Sequence, residues 1–418
     1  MQFHPRCLRQ FLSLLLILIS TTTAIAQPSI PEAKITEADV VRLALHRAPV
    51  ADALAGAIAS QQAKRSIADA YVNPRIIYMR EQTFGTFGSG ENYLSVAQAI
   101  SLGDKRRNYA AAGQLRIQAS EQDGDAKRLA IAADARMKFY EVLYCQLRVT
   151  ALQRWNDHVS EALRVVTRRA QGGDVALYDQ KRIEREQNVA QARLATSKAV
   201  LVGARGRLRS IIDDSTTVLV ATGPMLPETE PATVAALRQA ASTRPDLTAL
   251  HLELQAAART QAAAARWWLP DLQLEAGWKG VDLGNGQRTD GFLLGVSMTM
   301  PLWDQSTGLV RAAQADAQIA RARRSLLESE LHGELTSARA EALELRNIAV
   351  TQQTNISALS TDLIRMTSIG YEGGELGVLE LLDAYRGVAD DELAVVDMAY
   401  AARQAQLALD KLTGTGKQ

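Results

Sequence analysis

Residues 370–386 read GYEGGELGVLELLDAYR and place a glycine-rich break between two long helix-forming sequences. The helix after the break carries two acids three positions apart, Glu380 and Asp383, and this spacing puts both on one helix face. A weaker copy of the break lies 201 residues earlier, where Gly172-Gly173 matches Gly373-Gly374. Because glycine commonly ends helices, we predict that both breaks are the tips of helical hairpins.

The break belongs to an internal repeat that runs through the chain. Asn73-Pro74 matches Leu269-Pro270 at an offset of 196, and Ala111-Ala112 matches Ala312-Ala313 at an offset of 201. The offset changes once, between these two matches. We therefore predict one structural unit written twice, over residues 27–223 and residues 224–418.

Long stretches without proline predict very long helices in both units. Residues 75–223 and 302–418 contain no proline and are rich in good helix formers. Apolar residues recur there at alternating steps of three and four, which predicts coiled-coil hairpins over about 104–212 and about 304–413. The first helix of each hairpin would be about 100 Å long. The spacing alone also fits an ordinary amphipathic helical bundle.

Two stretches have the period-two pattern of β-strands, one in each unit. In the second unit, over about 271–301, apolar residues alternate with polar ones in both strands of a hairpin. In the first unit, over about 75–102, the alternation is less regular because Gln98 interrupts the apolar face. Strands of about ten residues with one apolar face are typical of a transmembrane barrel. A hairpin packed against the helices of a soluble protein is the alternative.

Four strands per chain are too few to close a barrel in lipid, where an open sheet edge has no water to bond. We therefore expect the barrel to be shared between chains. Three copies would supply twelve strands, which is enough for a pore.

The start of the chain has the pattern of a secretory signal. Two arginines precede the apolar run of residues 11–19, and Ala24-Ile25-Ala26 is a small-x-small cleavage site, so residues 1–26 are predicted to be removed. No cysteine stands at the predicted new terminus, so a lipid anchor is not expected, and Cys145 alone forms no disulfide within the chain. Removing the two arginines changes the formal net charge from +1 to −1, which argues against nucleic acid as a partner.

The sequence has no pattern that indicates catalysis or metal binding. The histidines share no i, i+4 spacing with another ligand type, and no phosphate loop or nucleophile motif is present. The histidines after the signal are His46, His158, His251 and His332. We therefore expect no enzymatic activity, no cofactor and no metal site.

Several motifs together resemble the TolC-like outer membrane factors, over essentially all of the mature sequence. Two of them flank the first predicted β-hairpin: Asn73-Pro74 before it and residues 95–106, SVAQAISLGDKR, as it ends. The others lie in the second unit: residues 269–272, LPDL; residues 300–304, MPLWD; and residues 374–386, GELGVLELLDAYR. Within the family, these motifs are most similar to the branch that serves cobalt–zinc–cadmium-type heavy-metal efflux pumps.

The resemblance implies an α+β fold and a homotrimer. Its twelve-stranded β-barrel would sit in the lipid of a Gram-negative outer membrane and continue as an α-helical barrel through the periplasm. It also implies a passive exit duct for heavy-metal cations, served by a periplasmic adaptor (a membrane fusion protein) and an inner-membrane RND pump. Channels for drug efflux or type I protein secretion share this pattern and stay open as alternatives. A periplasmic adaptor and an exported enzyme are alternatives from other classes.

The resemblance further implies a gate at the periplasmic tips. Glu380 and Asp383 align with acids that narrow the entrance in relatives, and three chains would hold two rings of three carboxylates. Asp179 aligns with an acid that ties the first tip to the second. The alternative for all three residues is that they are solvated acids near a helix N-terminus, where the helix dipole favours negative charge.

Overall fold

The computed structural model describes residues 32–85, 88–173, 175–213, 218–283, 285–300, 302–303 and 305–415, and the predicted signal peptide lies outside them. In the first half the elements are β1 (Glu32–Ile35), α1 (Glu37–Leu45), α2 (Ala48–Asp69), β2 (Arg75–Gln82), β3 (Gly90–Ile100), α3 (Lys105–Gly172) and α4 (Leu177–Ile212). In the second half they are β4 (Val218–Ala221), α5 (Val234–Ser242), α6 (Pro245–Ala264), β5 (Leu272–Asp282), β6 (Arg288–Met298), α7 (Thr307–Glu372) and α8 (Val378–Thr413).

The two halves contain the same elements in the same order. The long helices α3 and α7 have 68 and 66 residues, and the return helices α4 and α8 have 36 residues each. At about 1.5 Å per residue, each long helix measures roughly 100 Å. The predicted α+β fold, with two tandem repeats of a helical hairpin and a β-hairpin, is therefore confirmed. Among the described helices, none is long and apolar enough to cross a membrane.

The coiled-coil seam of α3 packs the two hairpins together in the half of the molecule that ends at the helical tips. The apolar residues that recur at steps of three and four along this seam are all buried: Leu152, Trp155, Val159, Ala162 and Val166. They form one apolar cluster with residues of α4 and of the first half of α8. Because α8 belongs to the second hairpin, this cluster joins the two hairpins of the chain.

The four longer strands form one antiparallel sheet in the order β2-β3-β5-β6. Its register places Leu94 opposite Trp278 and Leu274 opposite Val296, so the predicted apolar faces of the two hairpins are continuous. This face is exposed on the single chain; its members include Ile76, Tyr78, Leu94, Val96, Trp278, Phe292, Leu294, Val296 and Met298. Gln98 interrupts the face because its amide donates to the Val72 carbonyl, 2.7 Å away, and holds the segment before β2.

The opposite face of the sheet carries polar and charged side chains that bond to one another. The Ser95 hydroxyl donates to the Glu275 carboxylate at 2.5 Å, and the Lys279 ammonium lies 2.6 Å from the Glu91 carboxylate. The sheet is therefore apolar on one side and polar on the other, as a strand between lipid and a water-filled lumen must be.

No sequence pattern predicted β1 or β4, which pair in parallel in the middle of the molecule. Arg403 on α8 fixes the segment after β4 there. Its guanidinium donates to the carbonyls of Pro224, Met225 and Leu226 at 3.0, 2.8 and 2.9 Å and lies 4.4 Å from the centre of the Tyr140 ring. Burial lowers the pKa of Arg403.

Replacing Arg403 by methionine should destabilise the middle region. The side chain is only 8% exposed, so its loss leaves buried carbonyl groups without donors, at a cost of about 3 kcal/mol. We expect thermal unfolding of the purified protein to shift down by several degrees. Arg207→Ala is the control, because Arg207 forms an exposed pair with Glu141 whose loss costs less than about 1 kcal/mol. Equal downward shifts of the unfolding temperature in both variants would contradict the role of Arg403 in fixing the segment after β4.

Candidate functional site: the helical tips

The two tips have the same backbone geometry at equivalent positions. Gly172 is the last residue of α3 and Gly173 is its cap, while Gly373 caps α7 and donates to the Ile369 carbonyl at 2.9 Å. Gly173 and Gly374, 201 residues apart, have φ angles of 85° and 80°. This left-handed conformation costs other residues about 1–2 kcal/mol, so the glycines allow both long helices to end sharply.

Glu380 lies in the first turn of α8 and has a structural task there. Its carboxylate accepts a hydrogen bond from the Gly377 backbone N–H at 3.1 Å, which satisfies one of the free N–H groups at the start of the helix. The side chain is nevertheless exposed, so this bond leaves the carboxylate accessible to solvent. Glu380 therefore caps the N-terminus of α8, which is the alternative to a gate role. Its carboxylate is also exposed, as that of a gate residue must be.

Asp383 follows one turn later on the same face of α8 and is also exposed. Its carboxylate is near Arg386, whose pKa is raised first by a hydrogen bond to Glu186 and to a smaller extent by Asp383. Among the described residues, the Asp383 carboxylate takes part in no salt bridge. Within one chain, Glu380 and Asp383 thus form a short exposed acidic strip at the start of α8.

Asp179 lies in the first turn of α4, half-buried, close to the end of α7. Burial raises the pKa of the Tyr371 hydroxyl, and the nearby Asp179 carboxylate adds to the rise. The structure thus brings Asp179 next to the second tip.

Arg169 makes a direct contact between the two tips, and no sequence pattern pointed to it. From the last turn of α3, its guanidinium donates to the backbone carbonyls of Tyr371 and Glu372 at 3.0 and 2.7 Å. The guanidinium also lies 5.0 Å from the centre of the Tyr371 ring. A cation at the C-terminal carbonyls of a helix is favoured by the helix dipole, so Arg169 fastens the end of α7 to α3.

A second contact between the hairpins joins Arg386 of α8 to Glu186 of α4. The guanidinium donates to both carboxylate oxygens, and the Nε–Oε1 distance is 3.1 Å. Glu186 is only 5% exposed, whereas the Arg386 side chain is half-exposed. We call the contacts of Arg169 and of the Glu186–Arg386 pair the tip lock. Arg386 belongs to the motif of residues 374–386, whereas no sequence pattern pointed to Glu186.

The other polar residues singled out in the sequence lie away from the tips. His251 and His332 line a groove between α5, α6 and α7 together with Glu328. Cys145 is buried in the middle region, and burial raises the pKa of its thiol. Within the described parts of the chain, no group of three or more His, Cys, Asp or Glu is arranged to hold a metal ion.

The geometry therefore defines an elongated protein with a two-faced sheet at one end and locked, acidic helical tips at the other. Residues 236–415 match the family described as outer membrane efflux protein. Over 321 residues, the chain is 23% identical to the cobalt-zinc-cadmium resistance protein CzcC of Cupriavidus metallidurans, and the match covers 75% of each protein.

Solved structures extend this similarity to nearly the whole fold. The chain superposes on CusC with a TM-score of 0.70 at 14% identity, covering 90% of this chain and 91% of that one. It superposes on the open-state MtrE channel of Neisseria gonorrhoeae with a TM-score of 0.71 at 18% identity, covering 90% and 88%.

The resemblance to the TolC-like outer membrane factors is thus confirmed. The second half of the chain matches the outer membrane efflux protein family, and nearly the whole fold is that of CusC and MtrE.

Proposed function

We propose that this protein is the outer membrane component of a tripartite RND-type system that exports heavy-metal cations. A trimer of the chain would form the duct, and a periplasmic adaptor would connect the helical tips to an inner-membrane pump. The duct itself is passive, and the pump supplies the energy.

The two-faced sheet supports the trimer. Its outer strands β2 and β6 are edges with free backbone groups, and edges of this kind are not tolerated in lipid. Three sheets joined edge to edge would pair every strand and turn the exposed apolar faces toward the membrane. The same arrangement would bring three α8 N-termini around one axis, and with them three copies of Glu380 and Asp383.

We choose heavy-metal cations as the cargo because the chain is similar to CzcC over three-quarters of both proteins. The acidic strip of α8 agrees with it, because rings of carboxylates attract cations and repel anions. In the gate we assign Glu380 and Asp383 to the constriction, Asp179 to the junction of the tips, and the four tip glycines to the sharp ends of α3 and α7.

The cargo is tested by deleting the gene and measuring growth on zinc, cobalt and cadmium salts and on a panel of uncharged drugs. We expect the deletion strain to lose tolerance to the metal salts by at least several-fold while its drug tolerance stays unchanged. Complementation with the wild-type gene should restore growth on the metals. Loss of drug tolerance alone would instead identify the channel as a drug-efflux duct.

A further inference from the structure

A cavity of about 250 Å³ lies where α3 meets the second hairpin, between α7 and α8. Ile356, Ile364 and Val395 line its apolar wall, and Ser360 lines it from α7. Ser360 precedes the second tip by about four helical turns. The cavity is therefore separate from the acidic strip, and its lining residue Val388 follows Arg386 of the tip lock by two positions, on a different face of α8.

Comparison of the two repeats explains why this space is empty. At the offset of 201 residues, Ile356 corresponds to Trp155 and Ser360 to Val159. Trp155 and Val159 are buried in the seam of α3, at 2% and 0% exposure. The second repeat thus has two smaller side chains where the first has a well-filled core, and the space they leave opens to solvent beside the half-exposed Arg154 side chain.

Ser360 gives the cavity a polar group that lacks a partner. The residue is 7% exposed, and its hydroxyl makes no hydrogen bond within the described part of the chain. Thr361, the next residue on α7, also lines the cavity but takes part in an interaction of its own. Val388, which lines the cavity from α8, has no polar side-chain atom to offer Ser360. Buried hydroxyls are normally paired, so Ser360 points to a missing hydrogen-bonding group.

The charged groups at the cavity neutralise each other. Arg154 and Glu392 both line it, and they form a salt bridge of 2.9 Å that joins α3 to α8. Burial raises the pKa of Glu392, and Arg154 opposes that rise. An occupant therefore meets apolar side chains of α7 and α8, the side chains of Ser360 and Thr361, and one ion pair with no net charge.

We propose that the cavity binds a small neutral amphiphile, an alcohol or phenol whose hydroxyl pairs with Ser360 and whose apolar body fills the space left by the missing tryptophan. A dry apolar cavity of about 150 Å³ holds benzene, and drug-sized ligands need about 300 Å³ or more. The ligand class is accordingly a phenol or alcohol of about ten non-hydrogen atoms. Its binding surface includes both α3 and the second hairpin, so an occupant stabilises the contact between the hairpins.

The probe for the test is 4-ethylphenol, added to the full-length channel in lipid nanodiscs and followed by saturation-transfer NMR. The wild type should give a saturable signal. Ile356→Trp, which copies the first repeat and fills the cavity, should abolish the saturable part. Leu359→Trp is the matched control, since Leu359 lies one turn away on α7 and is 71% exposed. Partitioning of the phenol into lipid gives the same non-saturable background in all three samples.

A second comparison tests the hydroxyl. Ser360→Ala should weaken binding of 4-ethylphenol about fivefold and leave ethylbenzene, which has no hydroxyl, unchanged. If the wild type gives no saturable signal, water is the only occupant of the cavity and the proposal is overturned. The proposal also fails if Ile356→Trp binds as well as the wild type, or if Ser360→Ala weakens both probes equally.

Discussion

Arg386→Ala should open the channel, raising its single-channel conductance in planar bilayers several-fold. Glu186, the partner of Arg386, is buried, so the substitution leaves a carboxylate without its counter-charge. Breaking a fully buried pair costs about 3–5 kcal/mol, and about 2 kcal/mol is expected here because half of the Arg386 side chain faces solvent. A change of about 2 kcal/mol shifts the equilibrium between the locked and released tips about thirtyfold.

The internal repeat supplies the control for this experiment. Arg185 occupies the position equivalent to Arg386 in the first repeat, is exposed, and forms no salt bridge among the described residues. Arg185→Ala should therefore leave the conductance unchanged. Replacing Glu186 and Arg386 together by glutamine and methionine removes the buried charge and should restore most of the closure. If Arg386→Ala conducts no better than Arg185→Ala, the pair does not hold the tips closed.

The tip lock also shows where sequence reasoning reaches its limit. The glycine breaks, the seam of α3 and the two-faced strands could be predicted because each depends on residues within one or two turns of each other. Arg169 and Tyr371 are 202 residues apart, and Glu186 and Arg386 are 200 apart. Neither Arg169 nor Tyr371 belongs to a periodic pattern, and only the packing of α8 against α3 brings the two together.

The pairing of β1 with β4 was missed for a related physical reason. β1 and β4 have four residues each, too few for a period-two pattern to stand out, and they pair across 186 residues. Their stability depends on the core beneath them and on the Arg403 contacts, which no local pattern reveals. The cavity beside Ser360 was equally hidden, since a void is a property of packed neighbours and the residues that line it look like an ordinary helix face.

Neutralising the acidic strip should have the largest effect on ion selectivity. In the double variant Glu380→Gln with Asp383→Asn, three chains lose six negative charges at the entrance, so we expect cation selectivity to fall sharply. Reversal potentials measured across a KCl gradient report the selectivity directly. Glutamine is chosen at position 380 because it retains the hydrogen bond to the Gly377 N–H and so keeps the start of α8 intact.

The two acids can be separated by their structural roles. Asp383→Asn changes only charge, because the Asp383 carboxylate accepts no hydrogen bond within the described residues, and it should account for about half of the loss in selectivity. Glu380→Ala removes both the charge and the helix cap, so it should also loosen the start of α8 by about 1 kcal/mol. Glu375→Gln, an exposed acid that precedes α8, serves as the control and should leave the reversal potential unchanged.

Selectivity that is the same in the double variant and the wild type would mean that the acids cap and solvate the helix without lining the pore. Because Glu380 already makes the capping bond in a single chain, only its charge at the shared axis distinguishes a gate residue from an ordinary N-terminal acid.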